Sequence, residues 1–174
     1  LDEKWKSIVA EKCGQNISWE AVGAVTSLNL LRKDVTGIGP LARFTGLREL
    51  ILGGNPVSDI RPLAGLRQLK KLYLSKTAVS EISPLAGMES LVELSLSGLK
   101  IHDIAPLLRC KKLRSLDLEG AALTDLEMVG QLTALTSLTL GECNYSAYAP
   151  LQKLRNLSKL GLRKTNAQDI SWMA

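Results

Sequence analysis

Few residues in this chain have the type and spacing that covalent or metal chemistry needs. The one histidine, His102, sits in the turn Lys100–Asp103, on a position that should face solvent. The three cysteines, Cys13, Cys110 and Cys143, are odd in number and irregularly spaced. That fits neither a disulfide framework nor a thiolate metal cage. They read as small buried hydrophobes of a reducing compartment. No HExxH, GxSxG or phosphate-cradling glycine loop occurs. The expectation is a protein that is not an enzyme and needs no metal or cofactor.

Carboxylates do recur with a fixed period, at Asp59, Glu81, Asp103, Asp125 and Asp169. Such a row suggests a cation ladder. Capping explains it better, because each acid is followed by an apolar residue. Proline also recurs three positions further along, at Pro40, Pro62, Pro84, Pro106 and Pro150. An acid followed by Ile-x-Pro-Leu is a helix-start signal, since the carboxylate accepts from free backbone N–H groups and proline lacks a donor that the first turn does not need.

These residues are positioned by a unit of twenty-two residues that repeats without a gap from Val25, Leu47, Leu69, Leu91, Leu113, Leu135 and Leu157. Such a period means a solenoid, in which each unit buries its apolar face only against its neighbours. Positions 1, 4 and 6 are apolar, as in Leu47, Leu50 and Leu52, and their alternation predicts a short strand with one buried face. Parallel strands need a crossover, which the rest of each unit supplies. Positions 11, 14 and 17 return to the core, as Val57, Ile60 and Leu63 do. Too few residues remain for a full α-helix, so the crossovers are expected to be 3₁₀-like. The core is aliphatic, with only 4% aromatic residues in a chain of 174.

The stretch LxxLxLxxN at Leu47–Asn55 and the motif DIxPL at Asp59–Leu63 and Asp103–Leu107 resemble the leucine-rich repeat family. The likeness is greatest to its twenty-two-residue internalin-like type, found in bacterial surface and effector proteins, and it spans residues 25–174. It implies a right-handed α/β solenoid with short parallel strands on a concave face, 3₁₀ or irregular turns on the convex face and an N-terminal helical cap. Partner proteins are usually bound on the concave face of that family. One departure concerns position 9, where the family carries asparagine. Here it is Lys33, Asn55, Thr77, Leu99, Ala121, Cys143 and Thr165. The backbone between most turns must therefore be satisfied by water or by altered turns.

Residues 1–24 lie outside the repeat and are expected to form the cap. Trp5, Ile8, Val9 and Cys13 recur at helical spacing between a capping Asp2 and a stop at Gly14, with Ile17, Trp19 and Val22 extending the cover. Residues 25–174 make seven repeats, the last incomplete. No polar segment follows Leu157, Leu160 and Leu162, so self-association through that end is one expectation. The chain begins with Leu1 and reads as a processed form or an excised piece. No apolar run is long enough to span a membrane.

Strand positions 3, 5 and 7 should point out of the concave face. Leu31, Ile51 and Tyr73 form an apolar patch near the N-terminal end, with Lys71 beside it. Asp117 and Glu119 make an acidic spot, and Lys159 and Arg163 a basic one together with Lys164. A second basic row, including Arg67, Arg109, Lys111 and Lys112, lines the flank leading into the strands. It carries no aromatic platform, which disfavours nucleic acid. The net charge of +5 permits acidic partners without demanding them. The sequence therefore reads as a protein-interaction module whose contact residues are Leu31, Ile51, Tyr73, Lys71, Asp117, Glu119, Lys159 and Arg163. The alternative is a regulatory or targeting domain of a larger chain.

Overall fold

The computed structural model describes residues 2–14, 18–145 and 147–167. Seven strands form one parallel sheet in chain order: β1 (Ser27–Asn29), β2 (Glu49–Ile51), β3 (Lys71–Tyr73), β4 (Glu93–Ser95), β5 (Ser115–Asp117), β6 (Ser137–Thr139) and β7 (Lys159–Gly161). Every pairing has the same register, so Leu28, Leu50, Leu72, Leu94, Leu116, Leu138 and Leu160 stand in one row. The row follows from the constant repeat length. A one-residue slip would turn every leucine outward. The backbone ladder runs past the strands: Leu52 N–H donates to Tyr73 O at 2.9 Å, and Gly54 N–H to Ser75 O at 2.9 Å.

The crossovers are single 3₁₀ turns, among them Arg61–Leu63, Ser83–Gly87 and Ala105–Arg109. The acids do start these turns, but from one residue earlier than a standard cap. Ile60, Ile82 and Ile104 hold the cap positions and are buried. An apolar side chain cannot accept, so the preceding carboxylate does. Asp59, Glu81 and Asp103 accept from the N–H of Arg61, Ser83 and Ala105 at 2.8–2.9 Å, whereas Asp125 accepts from Glu127 N–H at 2.9 Å ahead of a 3₁₀ turn that begins only at Val129. Hydrogen bonds from the Arg61 guanidinium and backbone hold the Asp59 carboxyl down to about 2. Asp169 lies outside the described residues. Leu41, Leu63, Leu85, Leu107, Val129 and Leu151 fill the returning core position, and all are buried.

Two helices, α1 (Glu3–Cys13) and α2 (Trp19–Ala24), stand before the first repeat. Asp2 accepts from Trp5 N–H at 2.8 Å, and Gly14 closes α1 at φ 76°, a conformation that favours glycine. Trp5 packs 6.4 Å from Phe44 and donates through Nε1 to Gly37 O at 2.8 Å, so α1 is held on the first turn of the coil. Trp19 departs from its expected covering role. It is 56% exposed, with the Arg43 guanidinium 5.1 Å over its ring. Ile17 lies outside the described residues.

The substitutions at position 9 are absorbed one turn at a time. Asn55 is buried, and its Oδ1 accepts from Lys33 and Val35 N–H at 3.0 Å while Nδ2 donates to Leu30 O and Leu52 O. It stitches two repeats together. Leu99 and Ala121 cannot, so their own N–H groups close local turns onto Leu96 O and Leu118 O. The Cys143 thiol is more than packing, because it donates toward Ala121 O and Gly141 O, both at 3.3 Å. Thr77 donates to Leu74 O at 2.8 Å. The residue before each of these positions takes positive φ, in Arg32, Gly54, Lys76, Gly98, Gly120, Glu142 and Lys164 alike. Four of the seven are not glycine. The side-chain penalty there is outweighed by the ladder bond that each N–H makes to the next repeat where one follows.

Asn55→Ala should therefore unpair several buried backbone groups, each worth about 1–3 kcal/mol. We expect a loss of at least about 2 kcal/mol in denaturant unfolding. Hydrogen exchange should rise first around Leu30–Val35, while Leu107–Leu118 keeps its protection because contacts are nearest-neighbour. Uniform loss along the whole coil would contradict this account.

Candidate protein-binding face

Because successive residues of a strand point to opposite sides, the buried leucine row forces positions 3, 5 and 7 onto the concave side. Register places Ile51 directly beside Tyr73 on β2 and β3. Leu31 reaches the same zone through the gap at Gly53, where an added Cβ would lie 3.2 Å from its Cδ1. The Asn29 carboxamide accepts from Leu31 N–H at 2.9 Å and fixes that approach. Leu31 is 50% exposed, whereas Ile51 and Tyr73 are half-buried between their neighbours. The structure thus gathers Leu31, Ile51 and Tyr73 into one surface.

Tyr73 also has a polar anchor that the sequence did not disclose. Its hydroxyl donates to Glu93 Oε1 at 2.7 Å, and Glu93 lies 3.7 Å from Lys71 Nζ. Burial, then the Glu93 carboxylate, pushes the Tyr73 hydroxyl well above its ordinary ionisation range. It remains a neutral donor. The next rung is a hydroxyl chain: Ser95 donates to Asp117 Oδ2 at 2.9 Å and lies 2.7 Å from the Ser75 hydroxyl. Asp117 Oδ1 meanwhile accepts from Glu119 N–H. Serines at outward positions carry no sequence signal for such a chain, because its members come from three different repeats.

Glu119 of the acidic spot and Arg163 of the basic one are joined rather than separate. Arg163 reaches back two repeats to Glu119 at 2.9 Å and lies 3.6 Å from Glu142, which also holds Lys164 at 2.8 Å. Gly141 makes the crossing feasible, since a Cβ there would lie 3.3 Å from Glu119 Cγ and 3.0 Å from Arg163 O. Lys159, on β7, is exposed, and no ion pair with it occurs among the described residues.

Burial pushes the Cys110 thiol up to about 11, so it stays protonated at neutral pH. His102 is exposed. Tyr145 and Tyr148 fill core space, but only Tyr148 routes its hydroxyl outward, to Asn166 Oδ1 at 3.1 Å. The Tyr145 hydroxyl is buried without a hydrogen-bond partner among the described residues. Among the described residues no cluster of three His, Cys, Asp or Glu side chains could hold a metal ion. No described helix is long and apolar enough to cross a membrane.

Comparison with known proteins agrees with this architecture. A sequence model of leucine-rich repeats, in two copies, matches residues 45–87. Internalin C2 from Listeria monocytogenes is similar in structure, with a TM-score of 0.83 and 25% identity, over 99% of this chain and 88% of that one. An internalin F from Listeria monocytogenes shares the fold at a TM-score of 0.65 and 20% identity, over 99% of this chain and 65% of that one. No curated protein sequence matches the chain.

The Glu119–Arg163 bridge spans the surface and should contribute little to folding. A double-mutant cycle with Glu119→Gln and Arg163→Ala should give a coupling below about 1 kcal/mol that fades with added salt. Coupling of several kcal/mol, insensitive to salt, would make the bridge a structural clamp instead.

Proposed function

We propose that this chain, a leucine-rich-repeat protein of the internalin-like type, grips its protein partner on the N-terminal half of its concave face. A protein-interaction role follows from the fold in general. The finer assignment rests on one observation: Leu31, Ile51 and Tyr73 are held together on rigid, registered strands, with Leu31 left open to solvent. A large aromatic residue among apolar neighbours on a preformed surface suits an interface anchor, because little conformational freedom is lost on burial. Glu119 and Arg163 are already paired with each other and Lys71 lies beside Glu93, so these residues, with Asp117 and Lys159, serve as a polar rim that sets orientation.

In this reading residues 1–24 are a cap and residues 25–174 the binding scaffold. The setting that fits best is a bacterial surface or effector protein, by likeness to the internalins. A non-catalytic role fits the isolated His102 and the protonated, buried Cys110.

Affinity capture from source-cell and host-cell extracts with wild type and Ile51→Asp side by side should retain a protein that the variant loses. Against that partner, Tyr73→Ala should weaken calorimetric binding by at least about 1 kcal/mol with little change in thermal stability. Glu81→Gln, outside this patch, should bind as wild type does. Undiminished affinity in both Tyr73→Ala and Ile51→Asp would remove the site from this patch.

A further inference from the structure

The flank that leads into the strands carries a second feature, independent of the concave face. A cleft of about 580 Å³ lies over Ala86 and Gly87, and its walls include Arg67, Arg109, Lys111 and Lys112. Glu89 is its one acid, so four cations against one carboxylate leave three positive charges in a single depression. None of these five side chains makes an ion pair within 4.0 Å among the described residues.

The depression exists because the repeat loses a side chain there. The position held by Gly65 and Gly87 is Arg43, Arg109, Gln131 and Lys153 in other repeats. Neither glycine is there for its backbone, since neither has positive φ. Packing does not demand them either: an added Cβ would meet nothing within 4 Å at Gly65, and only Ala64 O at 3.8 Å at Gly87. A side chain would fit at both, and at Gly87 its absence leaves room beside Arg67, Arg109, Lys111 and Lys112.

We infer that this cleft is a binding site for a compact polyanion bearing several phosphate groups, either free or as a lipid headgroup. The argument is one of charge density. Each phosphate ester carries about −1.5 to −2 at neutral pH, so two of them balance the cleft within a small volume, where peptide carboxylates supply one charge each. Two guanidinium groups supply forked donors and two ammonium groups supply point charges, the pairing that phosphate oxygens accept best. The cleft has no aromatic wall on which the bases of a nucleic-acid strand could stack, which favours a compact ligand. Glu89 opposes the ligand and limits its affinity.

The test uses the intact chain and inositol hexakisphosphate as the soluble probe, by calorimetry at physiological salt. In parallel, flotation is run with phosphatidylcholine vesicles with or without a phosphatidylinositol bisphosphate. Wild type should bind one or both probes; binding of one alone identifies the source of the phosphates, and binding of both shows that the clustered phosphates themselves are recognised. Lys111→Glu with Lys112→Glu should lose about tenfold or more in affinity, the scale of a lost charge-assisted bond. Glu89→Gln should bind more tightly. The discriminating variant is Gly87→Gln, which fills the cleft with the residue that Gln131 already places at the same repeat position and leaves every charge in place. It should lose binding while keeping the wild-type melting temperature. Absence of binding to both probes would overturn the inference. So would binding that Gly87→Gln leaves intact, or a preference for duplex DNA, since either would mean diffuse attraction along the flank.

Discussion

Each turn of this coil buries its leucines only against the turns on either side of it, and everything else in the structure depends on that constraint. A single repeat has no second layer to pack against. The leucine row from Leu28 to Leu160 therefore has to stay in exact register through seven turns, and a repeat of constant length is the simplest way to ensure it. The parallel backbone ladder is the consequence. It also fixes the dihedral angles at the strand exits, so that Arg32, Lys76, Glu142 and Lys164 adopt a left-handed conformation that glycine takes freely at Gly54.

The same constraint produces the proposed binding surface. If alternate residues must enter the core, their neighbours must leave it, and seven strands present these outward residues in three straight columns. Such a surface is preorganised at no further conformational cost, which suits recognition of a large partner. What varies along it is side-chain chemistry alone. The N-terminal end presents Leu31, Ile51 and Tyr73, the middle a serine–aspartate chain, and the far end an ion-pair network in which Gly141 lets Glu119 meet Arg163.

Much of this was legible in the residues. The strand positions, the inward columns and the 3₁₀ turns follow from a period that Leu47–Asn55 and Asp59–Leu63 state almost openly. Less accessible was anything decided by two or more repeats at once. The Glu119–Arg163 bridge joins residues two turns apart across an intervening glycine, and no local pattern encodes it. Trp19 illustrates the opposite failure. Its place with Val22 in the capping segment argued for a covering role, but Val22 and Trp5 are the residues buried there, and Trp19 instead lies under Arg43 at the surface. The lost asparagine ladder was plain in the sequence. Its replacement by local N–H closures and by the Cys143 thiol was not, because those bonds depend on carbonyls that only the coiled backbone places.

Hydrogen exchange read by mass spectrometry on the chain alone and with its captured protein partner tests the central claim most directly. The concave columns, and no other surface, should slow on binding. The account predicts added protection centred on Asn29–Leu31, Ile51–Gly53 and Tyr73–Ser75, with the convex turns Ser83–Gly87 and Ala105–Arg109 unchanged. Protection confined to those convex turns, with the three strand segments exchanging as in the free chain, would contradict it.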